Sequence, residues 1–270
     1  MKIARVFPTK TSMSPNDADA YFDEPDLFTP IYDEVYISVT FTWDKERAKK
    51  LMYAWRNHGK VSVGGVAISG ESNKSFRAGM YLKKGITITS RGCPNNCSFC
   101  MVRKGGLTEF DDFPEGNIVQ DNNLLACSDR HLGLVWSMLK KQKGIELKGG
   151  LESSRITPKI ADILSGLRIK SLWLACDSAN AIKPLRKAVE VLKCAGFTHN
   201  HLFCYVLCGR DMAEEENRLR SIYEIGCLPF AQLYRNKEDD IKYSREWKQF
   251  QRTWSRPAAF KTLMSAVKKT

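Results

Sequence analysis

The sequence predicts an α/β fold, in which a partial (β/α)6 barrel follows a short N-terminal α/β segment. The first observation is that apolar strand candidates recur 26 to 33 residues apart, the length of one strand-plus-helix unit. They begin near Gly85, Ile118, Ile145, Ser171, Leu202 and Leu228. The second is that one-sided helix patterns lie between them, and strands that alternate with helices form parallel sheets. Six units are too few for a closed eight-stranded barrel, so we expect an open one.

Residues 1–80 are expected to form the short α/β segment, a truncated Rossmann-like unit. The β-branched stretch VYISVTF at 35–41 is a strand candidate, and KVSVGGVAI at 60–68 is a second. Between them lies a helix whose apolar face carries Ala48, Leu51, Met52 and Trp55. The polar stretch 71–84 is expected to link this segment to the barrel domain, residues 81–270.

Three helices of the barrel domain show apolar residues at i, i+3, i+4 and i+7. Their faces carry Leu132, Val135, Trp136 and Leu139; Ile160, Ile163, Leu164 and Leu167; and Leu185, Ala188, Val189 and Leu192. Thr157 before Pro158 predicts a helix start, while Gly196 and Gly226 predict helix ends. Active sites of such barrels lie on loops at the carboxyl ends of the strands.

The C-terminal stretch is expected to be one helix with an aromatic stripe. Tyr243, Trp247, Phe250 and Trp254 recur at helical spacing, with Lys248 and Arg252 between them. A basic, aromatic surface could bind nucleic acid. Because the aromatic residues form one continuous stripe, packing against the barrel is the favoured interpretation.

Composition limits the classes of function. The chain has 270 residues and a net charge of +12, which favours anionic partners such as nucleic acid or nucleotides, or simply a basic surface. No apolar run reaches the roughly 18 residues of a membrane span, and the N-terminus lacks the apolar run of a signal peptide. We therefore expect a cytoplasmic protein, in which nine cysteines indicate metal binding or catalysis before disulfides.

The stretch TSRGCPNNCSFCMV, residues 89–102, places Cys93, Cys97 and Cys100 directly after the first predicted barrel strand. Structural zinc takes four ligands, and no nearby CxxC or HxxxH pair supplies a fourth. A [4Fe–4S] cluster also normally takes four thiolates, so three would leave one iron open to a small ligand. A zinc knuckle short of one ligand and three buried thiols are the structural alternatives.

CxxxCxxC with Phe99 before the last cysteine, on the loop after the first strand of a partial barrel, resembles the radical S-adenosylmethionine (SAM) superfamily. The resemblance covers most of residues 85–260. It implies that Cys93, Cys97 and Cys100 hold a [4Fe–4S] cluster whose open iron binds SAM. It also implies that an electron from a flavodoxin- or ferredoxin-like donor cleaves SAM to a 5′-deoxyadenosyl radical, which abstracts hydrogen from a substrate.

The resemblance also implies SAM contacts. Phe99 lies where the family places an aromatic residue near the adenine. The family's Gly-Gly-Glu after the second strand is absent, and Asn122 and Asn123 are the polar replacements in VQDNNLLAC. Glu152 and Arg155, in GGLESSRI, resemble the acidic ribose contact and the arginine that binds the SAM carboxylate, although the two could form a surface ion pair.

Further candidates follow the later strands. VLCGRDMAEEE resembles the glycine turn whose backbone, from Leu207 to Gly209, lies against the adenine. Asp177 ends a strand, where it could contact SAM or substrate, or cap the next helix. Gln232 and Tyr234 end the last strand and are expected to line the substrate cavity.

The N-terminal segment resembles a shortened form of the cobalamin-binding domain that precedes many radical SAM barrels. The D-x-H-x-x-G motif of that domain is missing: His58 does not match it, and DRHLG, which contains His131, is one residue short of the motif and follows the cluster motif. We therefore expect a structural cap without cobalamin, and we place His131 on a helix surface.

The remaining six cysteines lack the dense spacing of an auxiliary cluster. Cys127, Cys176 and Cys208 each end a strand, where they could hold a second cluster, donate hydrogen to a substrate radical or pack inside the barrel, as free cysteines commonly do. Cys194, Cys204 and Cys227 are predicted to be core residues.

Two classes of function fit these features. The first is a radical SAM enzyme whose reaction after hydrogen abstraction is open, a methyl transfer or another radical modification, and whose substrate includes nucleic acid as one candidate. A tRNA methylthiotransferase is disfavoured, since residues 1–92 contain no cysteine. The second is a non-catalytic metal protein that binds nucleic acid through its basic surface.

Overall fold

The structure is a computed structural model that describes residues 1–69, 76–77, 79–100, 102, 106–235 and 241–267. The chain forms two compact units. The first contains Met1–Ile88 and Phe113–Glu115, and the second contains Thr89–Asp112 and Gly116–Thr270. Both are of the α/β class with parallel sheets.

The first unit contains a four-stranded parallel sheet in the order β2-β1-β3-β4. Its elements are β1 (Ile3–Val6), β2 (Ala20–Tyr21), β3 (Glu34–Ser38), α1 (Lys45–Trp55), β4 (Lys60–Gly64) and α2 (Val66–Ser69), followed by the short strand β5 (Gly85–Thr87). The predicted strand–helix–strand order is confirmed. The last residues of the second predicted strand instead form α2, after a turn at Gly65 with φ of +111°.

The core of this unit lies between α1 and the sheet. Ala48, Leu51 and Trp55 of α1 pack on Val35 and Ile37 of β3, all buried. Residues 71–75 and 78 of the predicted linker lie outside the described residues. Its described part packs within the unit: the rings of Phe76 and Tyr81 lie 5.5 and 6.2 Å from the ring of Tyr36.

Five strands of the second unit form a parallel sheet in the order β12-β11-β10-β9-β8. They are β8 (Gly116–Val119), β9 (Ile145–Leu151), β10 (Ile169–Ala175), β11 (Leu202–Cys208) and β12 (Leu228–Leu233). Together with β5, these strands match all six predicted starts to within two residues. The unit also contains a two-stranded antiparallel ribbon, β6 (Ser90–Gly92) with β7 (Leu107–Glu109).

The connecting helices are α3 (Asp129–Lys140), α4 (Pro158–Ser165), α5 (Ile182–Cys194) and α6 (Met212–Ile225). The predicted helix boundaries are confirmed at the caps. The Thr157 hydroxyl accepts a hydrogen bond from Ile160 N, and Gly196 and Gly226 have left-handed backbone just after α5 and at the end of α6. The helices bury the predicted faces, for example Leu185, Ala188, Val189 and Leu192 of α5.

The C-terminal segment differs from the prediction, since it forms two helices, α7 (Arg245–Trp254) and α8 (Pro257–Val267). Pro257 starts α8, because a proline at a first helical position lacks only an N–H that would be unpaired there anyway. Phe250 and Trp254 are buried, and the ring of Trp254 stacks on that of Phe260 at 5.8 Å. The aromatic stripe is therefore used for packing, at least at these two positions.

Two further sequence interpretations were wrong. His131 lies 1% exposed in the first turn of α3, so it is not on the helix surface. Cys194 is exposed at the end of α5 and is not a core residue, whereas Cys204 and Cys227 are buried. Apolar periodicity assigns a helix face well, but it does not show which end residues a neighbouring loop covers.

Candidate metal and cofactor site

The candidate residues lie at one edge of the second unit's sheet. Because β8 to β12 run parallel, the segments after their carboxyl ends meet at that edge. In strand order these segments carry Asn122 and Asn123, Glu152 and Arg155, Asp177, Gly209, and Tyr234. The loop with the three motif cysteines also belongs to this unit.

The sequence predicted that the cysteine loop follows the first strand directly. In the structure the loop instead follows β6, one strand of the two-stranded ribbon. The ladder between β6 and β7 ends at Gly92 paired with Leu107, so it closes the loop at its base. Gly92 has φ of +98°, and a Cβ there would lie within 3.0 Å of the Gly106 backbone. Glycine is therefore required at the position before Cys93. Met101 and residues 103–105 of this loop lie outside the described residues.

The three thiols share one electrostatic environment. Burial raises the pKa of the Cys97 thiol, and the neighbouring Cys100, Cys93 and Asp177 raise it further because each would add like charge. The Cys100 amide donates to the Cys97 carbonyl at 3.1 Å, and the Val102 amide donates to Cys100 Sγ at 3.4 Å. An amide directed at sulfur stabilises a thiolate, the form that binds metal.

The spacing of these sulfurs bears on the kind of metal centre. Sulfurs on one zinc ion lie about 3.8 Å apart, given a tetrahedral ion with 2.3 Å bonds. Among the described residues, three candidate ligand atoms within 4.8 Å of one another occur at Asp121, Cys127 and His131, and not at the three motif cysteines. Thiolates of an iron–sulfur cluster bind different irons and need no such closeness. Three thiols on one loop are a donor set that an iron–sulfur cluster with one open iron accepts.

Asn122 and Asn123 have different tasks. Asn122 Oδ1 accepts a hydrogen bond from the Gly92 amide at 3.1 Å, so its side chain anchors the start of the cysteine loop. Asn123 Nδ2 donates to Cys93 Sγ at 3.3 Å and to Glu152 Oε2 at 2.7 Å. Asn123 thus joins a motif cysteine to the acidic residue after β9.

Glu152 is the centre of this polar group. Its Oε2 accepts hydrogen bonds from Asn95 at 3.0 Å, Asn123 at 2.7 Å and Arg155 Nε at 2.9 Å, and its Oε1 accepts one from Ser154 at 2.6 Å. Burial acts to raise the pKa of Glu152, but these four donors outweigh it and lower the pKa to about 2. The side chain is a fixed carboxylate at neutral pH, and its pairing with Arg155 is part of a larger network.

Two buried oxygens beside Glu152 have no hydrogen-bonding partner among the residues that the structure describes: Asn123 Oδ1 and Ser153 Oγ. Buried polar atoms without a partner cost free energy and occur where a ligand supplies one. An amide oxygen accepts from a donor such as an amino group. The two unpartnered oxygens therefore fit a ligand that places an N–H or O–H donor next to Cys93.

A cleft of about 180 Å³ lies at the ends of β10 and β11. Phe99, from the cysteine loop, lines it together with Asp177, Leu207, Cys208 and Tyr234. Five residues that the sequence nominated separately therefore share one cavity. The remaining lining is largely charged and includes Glu215 and Arg218.

Asp177 does not cap the following helix. Its Oδ1 accepts a hydrogen bond from the Leu207 amide at 2.8 Å, and Arg218 Nη2 donates to the Leu207 carbonyl at 2.8 Å. Burial raises the pKa of Asp177, while the Leu207 amide and Arg218 act in the opposite direction. Asp177 and Arg218 therefore hold the backbone at Leu207 from both sides, and buried Arg218 Nε lacks a partner.

The turn at Gly209 is organised by Glu215 of α6, which is only 4% exposed. Its carboxylate accepts hydrogen bonds from the amides of Gly209 at 2.9 Å and Arg210 at 3.1 Å. Gly209 has φ of +126°, and a Cβ there would lie within 3.0 Å of the Tyr243 ring. A tyrosine side chain, held by a 2.9 Å hydrogen bond to the Tyr234 carbonyl, thus packs against this glycine.

The remaining nominated residues differ in position. Cys208 lines the cleft but is 1% exposed, and burial raises its pKa to about 12, which disfavours a thiolate role. Tyr234 lines the cleft and donates its amide to the Cys208 carbonyl at 2.8 Å. Gln232 is exposed, pairs with Leu207 in the ladder and does not line the cleft.

Sequence reasoning missed Asn95, Arg218 and Glu215. Asn95 lies between the first two cysteines of the motif, and its side-chain amide donates a hydrogen bond to Glu152 Oε2. Glu215 and Arg218 lie on one face of α6, four and seven residues respectively after Asp211, the residue that caps this helix. A charged residue on the buried side of a one-sided helix is a signal that could have identified both.

No known protein family, no curated protein and no solved structure matches this chain. Within the described residues, no helix is long and apolar enough to cross a membrane.

Proposed function

We propose that the chain is a radical SAM enzyme, with a partial (β/α)6 barrel, that reductively cleaves SAM to a 5′-deoxyadenosyl radical for hydrogen abstraction from a substrate. One observation carries the proposal. The three-cysteine loop contacts both groups of candidate residues, through Cys93 and Asn95 to the Asn123–Glu152 network and through Phe99 to the cleft. A three-thiolate [4Fe–4S] cluster with SAM bound supplies the electron transfer and the reactive radical.

The chain's own residues have binding and orienting roles in this proposal. Cys93, Cys97 and Cys100 hold the cluster. Asn123 Oδ1 accepts a hydrogen bond from the amino-acid part of SAM and Ser153 Oγ donates or accepts one, because both are buried beside Glu152 and lack a partner among the described residues. Arg155, held by Glu152, presents its remaining guanidinium N–H groups to a carboxylate.

The cleft takes the nucleoside part of SAM and the reacting carbon of the substrate. Phe99 offers a ring face to adenine, and the backbone at Leu207 is fixed by Asp177 and Arg218. The proposal includes a cytoplasmic location and an external electron donor of the flavodoxin or ferredoxin type; cobalamin has no part in it.

The first test is 5′-deoxyadenosine formation. The protein is purified without oxygen, loaded with iron and sulfide, and given SAM and dithionite, and the nucleoside is quantified by mass spectrometry. Wild type and Cys194→Ser, which removes an exposed thiol outside the motif, are expected to form it. Cys97→Ala is expected to form none. Brown, cluster-loaded protein that cleaves no SAM with any substrate, or colourless zinc-loaded protein, would contradict the proposal.

The SAM-binding roles have a separate readout that needs no turnover. Removing a buried hydrogen bond to a charged group costs about 1.5–3 kcal/mol, a factor of about 10 to 100 in affinity. Asn123→Ala and Arg155→Ala are therefore expected to raise the SAM dissociation constant of the cluster-loaded protein by this factor in equilibrium dialysis. Gln232→Ala, outside the cleft, is the matched control and should leave it unchanged. Equal effects at all three positions would contradict the assignment.

A further inference from the structure

Three metal-ligating side chains meet outside the motif loop. The ligand atoms of Asp121, Cys127 and His131 lie within 4.8 Å of one another, and the three residues are 1%, 7% and 1% exposed. None of them has a role in the proposed reaction. A carboxylate, a thiol and an imidazole are the three side-chain types that bind zinc in proteins.

The local backbone explains why these groups converge. Asp121 follows β8, Cys127 follows the short 3₁₀ turn Leu124–Ala126, and His131 lies in the first turn of α3. The Ser128 hydroxyl caps α3 by accepting from the His131 amide at 3.3 Å. Because α3 starts between Cys127 and His131, the C-x3-H spacing directs both side chains back toward the end of β8.

The carboxylate and the imidazole are held in place by the start of the cysteine loop. Asp121 Oδ1 accepts from the Thr89 amide at 2.6 Å, and Oδ2 accepts from the hydroxyls of Thr89 at 2.5 Å and Ser90 at 2.8 Å. His131 Nε2 lies 3.0 Å from Thr89 Oγ1. Outer hydrogen bonds of this kind orient metal ligands and fix the histidine tautomer.

We propose that Asp121, Cys127 and His131 form a mononuclear zinc site that is distinct from the cluster cysteines. Ligand atoms around tetrahedral zinc lie about 3.3 to 3.8 Å apart. The present separations are at most 4.8 Å, so shifts of about 1 Å in side-chain position would complete the site. The hydroxyl of Ser90 or a water molecule supplies the fourth ligand.

The site would have a structural role. It ties the end of β8 and the first turn of α3 to each other, and through Thr89 and Ser90 to the strand that leads into Cys93. Structural zinc contributes directly to folding free energy. Zinc would thereby stabilise the segment that carries Asn122 and Asn123.

The test uses the full chain with Cys93→Ala, Cys97→Ala and Cys100→Ala, so that the motif thiols cannot bind zinc. The protein is produced in zinc-supplemented medium, desalted, and analysed by plasma mass spectrometry and zinc-edge X-ray absorption. We expect about one zinc per chain, with one sulfur at about 2.3 Å and lighter ligands at about 2.0–2.1 Å. Adding Cys127→Ser or His131→Gln should lower zinc at least ten-fold, whereas Cys204→Ser, at another buried cysteine, should not.

A thermal measurement covers the case in which the substituted triads fold poorly. A strong chelator is expected to lower the Tm of the chain that retains Asp121, Cys127 and His131, and added zinc should restore it. Less than a tenth of a zinc per chain, a Tm indifferent to chelator, or zinc retained in well-folded His131→Gln would overturn the proposal; the triad would then be a hydrogen-bonded network only. Because the motif cysteines are absent from every variant, none of these results bears on SAM cleavage.

Discussion

Glu152 offers a quantitative test of the polar network beside the cysteine loop. Its pKa falls from 4.5 to about 2 in the folded protein. The difference of about 2.5 units corresponds to about 3 kcal/mol of stabilisation that depends on ionisation, at 1.36 kcal/mol per unit. The side chain is 23% exposed, so solvent screening removes only part of this value.

The sign follows from linkage. The folded-state pKa lies below the unfolded value, so the stabilisation is complete above pH 4.5 and is lost as the pH falls toward 2. Between pH 7 and pH 3.5 the loss amounts to about 1.4 kcal/mol. Glu152→Gln cannot ionise, so its free energy of unfolding lacks this component of the pH dependence.

The assay is urea unfolding of the metal-free, reduced protein at pH 7, 5 and 3.5. We expect the stability difference between wild type and Glu152→Gln to shrink by about 1 kcal/mol or more over this range. Glu224→Gln, on the exposed face of α6, is the matched control and should differ from wild type by less than about 0.5 kcal/mol throughout. A wild-type advantage over Glu152→Gln that stays constant from pH 7 to 3.5 would refute the reasoning.

Three further outcomes are expected. Gly92→Ala should destabilise the protein by more than about 1 kcal/mol and reduce bound iron, because φ of +98° and the nearby backbone exclude a Cβ. The control Gly133→Ala, with open space in α3, should stabilise the protein. Unchanged iron content in Gly92→Ala would contradict the first expectation. Thr157→Ala should cost about 1 kcal/mol in urea unfolding through loss of the α4 cap, and Thr157→Ser should restore most of it. Gly209→Ala and Tyr243→Ala together should destabilise the protein by less than the sum of their single effects, because Tyr243→Ala removes the ring that the new Cβ meets, although strain from φ of +126° persists; additive effects would argue against that contact.

The features that the sequence could predict are those set by local periodicity. Strand starts, the helix faces and the caps at Thr157 and Gly226 depend on neighbouring residues within one or two turns. The convergence of candidate residues at one edge followed from the parallel sheet alone, since every parallel strand delivers its carboxyl end to the same side. The three motif cysteines could likewise be identified as a candidate metal-binding motif from their spacing alone.

The features that could not be predicted depend on contacts between distant segments. The β6–β7 ribbon pairs short three-residue strands whose apolar content gives no signal. Glu152 accepts hydrogen bonds from Asn95 and Asn123, which lie 57 and 29 residues before it in the sequence. A local sequence pattern does not reveal such distant partners. For the same reason His131 was assigned to the surface, since its helix position did not reveal that Thr89 lies against it.

The segment 121–123 shows how one short loop can serve both the fold and the proposed chemistry. Asp121 bonds to Thr89 and Ser90, Asn122 bonds to the Gly92 amide, and Asn123 reaches Cys93. Three successive side chains thus hold the five-residue stretch that leads into the motif. Asn123 Oδ1, in addition, is buried without a partner among the described residues. It follows that Asp121 and Asn122 help to hold the start of the cysteine loop, whereas Asn123 also has a buried acceptor left for a ligand beside Cys93.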